Sequence, residues 1–348
     1  IYSSYGMVHE KPMVGMGNNR SLSRLQDLSF SRLLNYCKMR FRSAIVFLII
    51  GVQLQVYSQS YSIQEGVKRI VFIGNSITYA GTYVSYVDAY FSLINPEKKY
   101  KILNLGLPSE TVSGLSELGH ANGAFPRPVL EERLESLLTK TKPDLVLACY
   151  GMNDGIYLPF DEHRFEQFKK GINALHDEVK KRGDQIIHLT PPVYDGPSDN
   201  SYAEVLEVYS DWLVSKRNTS QWKVIDIHRP MKKELKTQRL LDPNFSFAKD
   251  GIHPNKAGHF LMAKEILLFL GAKEINQVRD MKSILSKYPN GPQIAAHIKK
   301  RQQIIKDAWL TYVGHKRPRM NPGFALPEAQ RLAKELSVQI ENLLEASK

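Results

Sequence analysis

Between residues 66 and 271, short apolar runs alternate with longer stretches in which apolar residues recur three and four positions apart. The short runs are apolar at consecutive positions, which is typical of strands that are covered on both faces by helices. This pattern predicts five strands, at 69–73, 100–104, 144–149, 185–189 and 223–227.

The stretches that separate these runs have the periodicity of amphipathic helices. They predict helical faces at 84–94, 130–138, 165–179, 205–213 and 260–270. Asp161 precedes the third of these faces and is a predicted N-cap. Strands that alternate with helices predict a parallel, doubly wound sheet, in which the functional crevice lies outside the carboxyl ends of the strands.

From about residue 272 the alternation stops, and residues 277–313 and 327–346 have helical spacing. We therefore predict an α/β domain at 66–271 and a C-terminal helical extension at 272–348 that packs on its core. The loop between the two predicted helices contains HKRPR, at 315–319. It either approaches an anionic substrate or is a solvated loop, and the second interpretation is favoured because charge runs usually face water.

Residues 39–58 have the layout of a secretory signal peptide: arginines, an apolar run at 44–52, then small residues before a predicted cut that leaves Gln59 first. The apolar run is about half of the roughly 20 residues that a bilayer-spanning helix needs. We therefore predict export, to the periplasm or the exterior, with no stable membrane anchor after cleavage. The chain begins with Ile1, and we predict that residues 1–38 are a mis-assigned or disordered extension outside the fold.

The composition argues against a nucleic-acid-binding protein, a disulfide-rich protein and a structural metal site. The 348 residues carry a formal net charge of +12, and without residues 1–58 the chain keeps 40 basic and 33 acidic residues, or +7. No dense basic run is interleaved with aromatic residues, so nucleic-acid binding has little support. The only cysteines are Cys37 and Cys149, which leaves no disulfide framework, and no Cys or His cluster indicates a structural metal.

Four polar sites follow the predicted strands. Ser76 lies in GNSIT after the first strand, Gly106 in NLGLPSET after the second, and Asn153 in YGMNDG after the third. Asp250 and His253 lie in KDGIHPNKAGH, beyond the fifth strand. Because the carboxyl ends of parallel strands meet at one edge of the sheet, we expect these loops to converge.

Together these residue types fit acyl transfer from an ester. Ser76 supplies a hydroxyl nucleophile, His253 a base, and Asp250 a carboxylate that orients the imidazole. The main-chain N–H groups of Ser76 and Gly106 and the side-chain amide of Asn153 supply donors for an oxyanion. A glycine suits that role because its N–H can approach a substrate oxygen closely.

Each residue alone also has an ordinary interpretation. Ser76 is a common N-cap, and Gly106 and Asn153 lie in strong turn sequences. Asp250 and His253 are also compatible with a simple loop hydrogen bond or with metal ligation. His259, however, does not share a helical face with His253, and no third ligand is evident, so we predict no metal.

The blocks GNSIT, NLGLPSET, GMND and DGIH, in this order, resemble the four sequence blocks of the SGNH hydrolases, also called the GDSL esterase/lipase superfamily. The resemblance covers roughly residues 68–270. It matches the four letters to Ser76, Gly106, Asn153 and His253, and the DxxH aspartate to Asp250. Asn75 replaces the aspartate of GDS, but that aspartate is not the acid of the triad. The GxSxG elbow of α/β-hydrolases is absent.

The resemblance implies a three-layer α/β/α sandwich with a five-stranded parallel sheet, like flavodoxin, and cofactor-free hydrolysis of esters or thioesters. Similar exported members often remove acetyl groups from polysaccharides, which favours a carbohydrate acetylesterase with a small-molecule or polysaccharide ester as substrate. The alternatives are a lysophospholipase or thioesterase that acts on longer acyl chains, and a non-catalytic glycan-binding protein of the same fold. The sequence sets no oligomeric state.

Two further segments have open interpretations. Glu110 and Thr111 follow the Gly106 turn and either line the site or belong to a solvated loop. The polar, turn-rich stretch GHANGAFPRP, at 119–128, either borders a substrate cleft or is a plain connection.

Overall fold

The structure is a computed structural model that describes residues 61–196 and 201–346. The predicted signal peptide at 39–58 and the predicted extension at 1–38 lie outside the described residues. Within 61–196 and 201–346, five strands form one parallel sheet in the order β2-β1-β3-β4-β5. Their bounds are β1 Arg69–Gly74, β2 Lys101–Asn104, β3 Leu145–Cys149, β4 Gln185–Leu189 and β5 Lys223–Ile225. The predicted five-stranded parallel sheet is therefore confirmed.

Predicted and observed strand limits differ by two residues or fewer. The largest difference is in β5, which ends at Ile225 because the chain then turns away from the sheet. The N–H groups of Ile227 and His228 both donate to Thr190 Oγ1, at 2.8 and 2.9 Å, instead of extending the ladder.

Ten α-helices lie within the described residues: α1 Ser76–Ala80, α2 Thr82–Ile94, α3 Glu131–Thr141, α4 Glu162–Lys181, α5 Tyr202–Thr219, α6 His228–Leu241, α7 Lys256–Phe269, α8 Met281–Leu285, α9 Gly291–Val313 and α10 Leu326–Glu345. Short 3₁₀ segments occupy Pro96–Lys98, His120–Gly123 and Lys273–Gln277. All five predicted helical faces fall in helices, to within one residue at either end. Asp161 caps α4 by accepting from the Arg164 N–H at 2.8 Å.

The topology places helices on both faces of the sheet. The crossover from β1 to β2 runs in one direction, and the crossovers from β2 to β3, β4 and β5 run in the other. Because such crossovers are right-handed, α2 lies on one face and α3, α4 and α5 lie on the opposite face. Helix α7 packs against α2 and completes the first face.

Two details of the helix prediction were wrong. Helix α6 was not predicted, because its buried apolar residues are few and Pro230 lies in its first turn. The predicted single helix at 277–313 is divided into α8 and α9. Pro289 causes the break, since it lacks an N–H donor and disfavours helical backbone at the residue before it.

The C-terminal helices α9 and α10 pack against each other, and α9 covers the edge strand β2 and helix α2. Arg301 Nη2 lies 2.9 Å from both carboxylate oxygens of buried Asp88 in α2. The Gln302 amide donates to Asp88 Oδ2 at 2.6 Å and to the Ile102 carbonyl of β2 at 3.0 Å. This helical region therefore covers an edge strand that would otherwise expose its backbone groups. The domain boundary at 271 and 272 stays a prediction.

Of the helices at 61–196 and 201–346, none combines the length and the hydropathy that crossing a membrane requires.

Candidate active site

Ser76 is the first residue of α1, directly beyond the carboxyl end of β1. The chain packs tightly there: a Cβ on Gly74 would lie 2.3 Å from Thr78 Oγ1 and 2.6 Å from the Cys149 carbonyl oxygen. Asn75 Oδ1 accepts the Ile77 N–H at 3.2 Å and so caps the helix. The asparagine that departs from the GDS pattern thus fulfils a local structural role, and it leaves the Ser76 hydroxyl at the sheet edge.

His253 lies beside Ser76 although 177 residues separate them in the chain. Its Nε2 is 2.8 Å from Ser76 Oγ, and its Nδ1 is 2.6 Å from Asp250 Oδ2. The other Asp250 oxygen accepts the N–H groups of Ile252 and His253, at 2.9 and 2.8 Å. The structure therefore brings the predicted nucleophile, base and orienting acid into one hydrogen-bonded chain.

The surroundings of Asp250 favour the charged form of its carboxyl group. Partial burial raises the pKa of its carboxyl, but the hydrogen bonds from the His253 main chain, the His253 ring and the Ile252 N–H outweigh burial and lower the pKa to about 2. A carboxylate that stays ionised accepts the Nδ1–H of His253, so Nε2 is free to accept the Ser76 proton.

Asp195 organises the loop that carries Asp250 and His253. Its Oδ2 accepts the hydroxyl of Ser246 and the N–H of Phe247, both at 2.7 Å, and its own N–H donates to the Gly251 carbonyl at 2.8 Å. Arg239 pairs with the other Asp195 oxygen. No sequence motif singled out this buried residue. The sequence feature that could have identified Asp195 is its position beyond β4, the one strand end to which no candidate functional residue had been assigned.

Asn153 is buried beneath the sheet edge, with both ends of its amide in contact with the protein. Nδ2 donates one N–H to the Glu110 carbonyl at 3.1 Å, and Oδ1 accepts the hydroxyl of Tyr157 at 2.8 Å. An Asn amide has two N–H donors, and the second N–H of Asn153 has no partner among the described residues.

The predicted role of Gly106 does not fit this structure. Its N–H donates to Asn104 Oδ1 at 3.0 Å and is therefore occupied within its own turn. The glycine is required for packing instead, since a Cβ there would lie 2.3 Å from the Tyr79 nitrogen. By contrast, the N–H groups of Ser76 and Ser109 have no hydrogen-bond partner among the described residues. Ser109 has a left-handed φ of 68° in the same loop.

Glu110 is fully buried, so of the two open interpretations the solvated loop is excluded for this residue. Its carboxylate is held by Arg133 through Nε at 2.6 Å and Nη2 at 2.7 Å, and by the Tyr150 hydroxyl at 2.6 Å. Arg133 Nη2 also donates to the Leu105 carbonyl at 2.8 Å. This ion pair fixes the loop that contains Glu110, and the Glu110 carbonyl accepts the hydrogen bond from Asn153.

Asp154 links two loops of the site. Its buried carboxylate accepts the N–H groups of Val112, Ser113 and Gly151, at 2.8, 2.9 and 2.9 Å. Burial raises the pKa of Asp154 despite these donors. The turn sequence that follows β3 thus has a second, structural acid next to the predicted oxyanion residue.

The loop at 119–128 contributes contacts to the site region through its last residues. Arg127 pairs with Glu117 through Nε and Nη2, at 2.7 and 2.6 Å, and its guanidinium lies 5.3 Å from the centre of the Tyr157 ring. Arg317 of the basic loop lies 5.3 Å from the Phe125 ring centre. For that basic loop, a solvated loop stays the favoured interpretation and contact with an anionic substrate the alternative.

A cleft of about 630 Å³ lies between α2, β2, α9 and α10, lined in part by Arg301, Tyr100 and Lys334. None of the predicted site residues lines it, so it is separate from the Ser76 centre. His259 is buried and stacks on Tyr83, with ring centres 6.0 Å apart. In the described part of the chain, no group of three or more His, Cys, Asp or Glu side chains is placed to hold a metal ion.

A parallel five-stranded sheet with Ser76, Asn153 and the Asp250–His253 pair at one edge is the arrangement of an SGNH-type carboxylic ester hydrolase. The model of the GDSL-like lipase/acylhydrolase family matches residues 72–261, which is more than half of the chain. The protein therefore belongs to this family, as the four sequence blocks had indicated.

The chain is similar to a curated acetylxylan esterase of Geobacillus stearothermophilus, with 25% identity over 225 residues that cover 59% of this chain and 94% of the relative. It also resembles the solved structure of a gut microbial diltiazem-metabolizing enzyme, with 22% identity and a TM-score of 0.50 over 62% of this chain and about half (49%) of that one. A solved structure of the Geobacillus stearothermophilus acetylxylan esterase matches with 23% identity and a TM-score of 0.48, covering 61% and 97% of the two chains.

Proposed function

We propose that this ester hydrolase is a carbohydrate acetylesterase whose catalytic residues are Ser76, His253 and Asp250. The observation that carries the proposal is the 2.8 Å contact between His253 Nε2 and Ser76 Oγ, with Asp250 on the opposite ring nitrogen. A hydroxyl, a base and an orienting carboxylate in series are the minimum that acyl transfer requires.

In the proposed reaction, His253 takes the Ser76 proton as Oγ attacks the ester carbonyl carbon. The resulting imidazolium is stabilised by Asp250 and gives its proton to the leaving sugar oxygen, which produces an acyl-enzyme. Water that has been deprotonated by the same imidazole then attacks the acyl carbon, and acetate leaves as Ser76 regains its proton.

The proposed oxyanion donors are the N–H of Ser76, the second N–H of the Asn153 amide and the N–H of Ser109, none of which has a partner in the part of the chain that the structure describes. The Ser109 donor takes the place of the predicted Gly106 donor, because Asn104 occupies the Gly106 N–H. Ser109 directly precedes Glu110, whose carbonyl contacts Asn153, so the two donors belong to adjacent parts of one loop system. Loss of one such donor typically lowers kcat about 100- to 1,000-fold.

Two observations support a polymeric acetyl ester as substrate. The relative that matches over 94% of its length is an acetylxylan esterase. The side chains of His253 and Asp250 are 48% and 55% exposed, so the reaction centre is open to solvent. Such a centre suits a small acyl group carried by a bulky alcohol. Export through the predicted signal peptide would bring the enzyme to such substrates.

The test is acetate release from acetylated xylan and other acetylated glycans, with Ser76→Ala as control. We expect release by the wild type and a loss of at least about 10⁴-fold in the variant. On p-nitrophenyl esters, the rate is expected to fall beyond short acyl chains. A rate that rises with chain length would instead identify a lysophospholipase or thioesterase. If wild type and variant were equally inert on every ester but bound glycan, a binding protein would be the correct interpretation.

A further inference from the structure

The side-chain amide of Asn153 is useful to an oxyanion in only one of its two orientations. With Nδ2 toward the substrate, it donates a hydrogen bond; rotated by half a turn, it presents Oδ1, which repels a negative oxygen. The contacts in the structure select between the two. Glu110 offers a carbonyl acceptor to one N–H at 3.1 Å, and Tyr157 offers a hydroxyl donor to Oδ1 at 2.8 Å.

Tyr157 reaches Asn153 through an unusual stretch of backbone. Ile156 and Tyr157 have consecutive positive φ angles of 47° and 58°, a conformation that is rare for β-branched and aromatic residues. The Ile156 N–H donates to the Asn153 carbonyl at 3.0 Å, which closes the turn. Strained conformations of this kind persist only where the surrounding structure holds them, and they are frequent at functional sites.

The Tyr157 ring is held on several sides. It contacts the ring of Tyr202, with centres 4.9 Å apart, and that of Tyr194 at 6.4 Å. The Arg127 guanidinium covers another side at 5.3 Å and is itself held by Glu117. Burial raises the pKa of Tyr157, so its hydroxyl remains a donor at any pH at which the enzyme would act.

We infer that Tyr157 is a positioning residue for the ester hydrolysis, which fixes the Asn153 amide with its free N–H toward the developing oxyanion. This inference rests on the proposed function, since it gives Asn153 an oxyanion role. Without the Tyr157 hydroxyl, Asn153 Oδ1 loses its hydrogen-bond donor, and with it one of the two contacts that distinguish the oxygen from the nitrogen of the amide. The loss acts on the transition state more than on substrate binding, because negative charge develops only there.

The test is a double-mutant cycle with Tyr157→Phe and Asn153→Ala, measured as kcat and KM for a short-chain ester. Tyr157→Phe keeps the ring and removes the hydroxyl, and we expect kcat to fall about 10- to 100-fold with KM changed less than about twofold. In the Asn153→Ala background the same substitution is expected to change kcat less than about threefold, since there is no amide left to orient.

Tyr209→Phe is the matched control, because the Tyr209 hydroxyl is buried without a hydrogen-bond partner among the described residues. Its kcat should equal that of the wild type. A second readout is the inhibition constant of a boronic acid, which forms a tetrahedral adduct on a serine. Tyr157→Phe should weaken it by about the same factor as kcat.

An unchanged kcat in Tyr157→Phe, or an equal loss in both backgrounds, would overturn the positioning role of Tyr157 and leave the proposed function intact. Activity retained by Ser76→Ala would instead overturn the proposed function itself. The two failures are therefore distinguishable.

Discussion

Two acid–base pairs lie near the carboxyl edge of the sheet, and they differ in almost every physical respect. Asp250 and His253 are three residues apart, and their side chains are 55% and 48% exposed. Glu110 and Arg133 are 23 residues apart, and their side chains are 0% and 2% exposed. The first pair makes one side-chain contact, whereas the second is bidentate and includes the Tyr150 hydroxyl.

The difference in exposure means that the Asp250–His253 pair can change its charge, whereas the Glu110–Arg133 pair cannot. Water solvates both protonation states of an exposed imidazole, so the proton transfer that we propose for His253 would carry little desolvation cost. A buried ion pair is stable only while both partners are charged, because removal of either charge leaves the other uncompensated in a medium of low polarity. The exposed pair therefore suits chemistry, and the buried pair suits the positioning of loops.

Among substitutions in these two pairs, Asp250→Asn is expected to have the largest effect. The side chain keeps its size but no longer holds the His253 ring in the required tautomer, and kcat should fall about 10³- to 10⁴-fold. Because Asp250 is more than half exposed, the thermal unfolding midpoint should stay close to that of the wild type. Wild-type activity in the variant would show that His253 works without this carboxylate.

A large loss of stability, rather than of chemistry, is expected from Arg133→Met. The substitution leaves the buried carboxylate of Glu110 without its cation and should lower the free energy of unfolding by about 3–5 kcal/mol in urea denaturation. The double variant Glu110→Leu/Arg133→Met, which buries no charge, should be less destabilised than Arg133→Met alone. If it were more destabilised, desolvation of a lone charge would not be the cause.

Glu265 in α7 tests what burial does to a carboxylate without a partner. It has no hydrogen bond or ion pair among the described residues, and burial raises its pKa to about 7. The folded state therefore binds more protons than the unfolded state between about pH 4.3 and 7, so stability falls as the pH rises through that range. At pH 8, Glu265→Gln should be more stable than the wild type by about 1–2 kcal/mol, and the gain should vanish near pH 4. A gain that is independent of pH would contradict this explanation.

The smallest effect is expected from Lys316→Ala. Lys316 lies 2.8 Å from Glu132, the helix neighbour of Arg133, but its side chain is 74% exposed. An exposed pair of this kind contributes less than about 1 kcal/mol, and salt screens it. Thermal unfolding of wild type and variant in 1 M salt should coincide. A loss comparable to that of Arg133→Met would remove burial as the explanation for the difference between the pairs.

The sequence was informative where function depends on local spacing. Asp250 and His253 are three residues apart in a tight loop, so their contact follows from short-range geometry. The five strands were predicted to within two residues, because continuous apolar runs between turn-forming residues are specific for a covered parallel sheet. Ser76 was placed correctly at the sheet edge for the same reason.

The sequence was uninformative where side-chain direction depends on an unusual backbone or a distant partner. Tyr157 lies only four residues after Asn153, but its contact depends on two left-handed φ angles that Ile156 and Tyr157 rarely adopt. The Gly106 pattern indicated an oxyanion donor, and only the structure placed the Asn104 side chain on that N–H. Asp195 was missed because its partners at 246–248 lie about 50 residues away.

By itself, the sequence determined the parallel sheet, the family and the order of the loops that carry Ser76, Asn153, Asp250 and His253, because apolar periodicity and short motifs are local properties. Only the tertiary structure decided which N–H groups remain free, which carboxylates are buried and which are exposed, and how the Asn153 amide is oriented. Those properties depend on contacts between segments that are far apart in the chain, and the spacing of residue types does not predict such contacts.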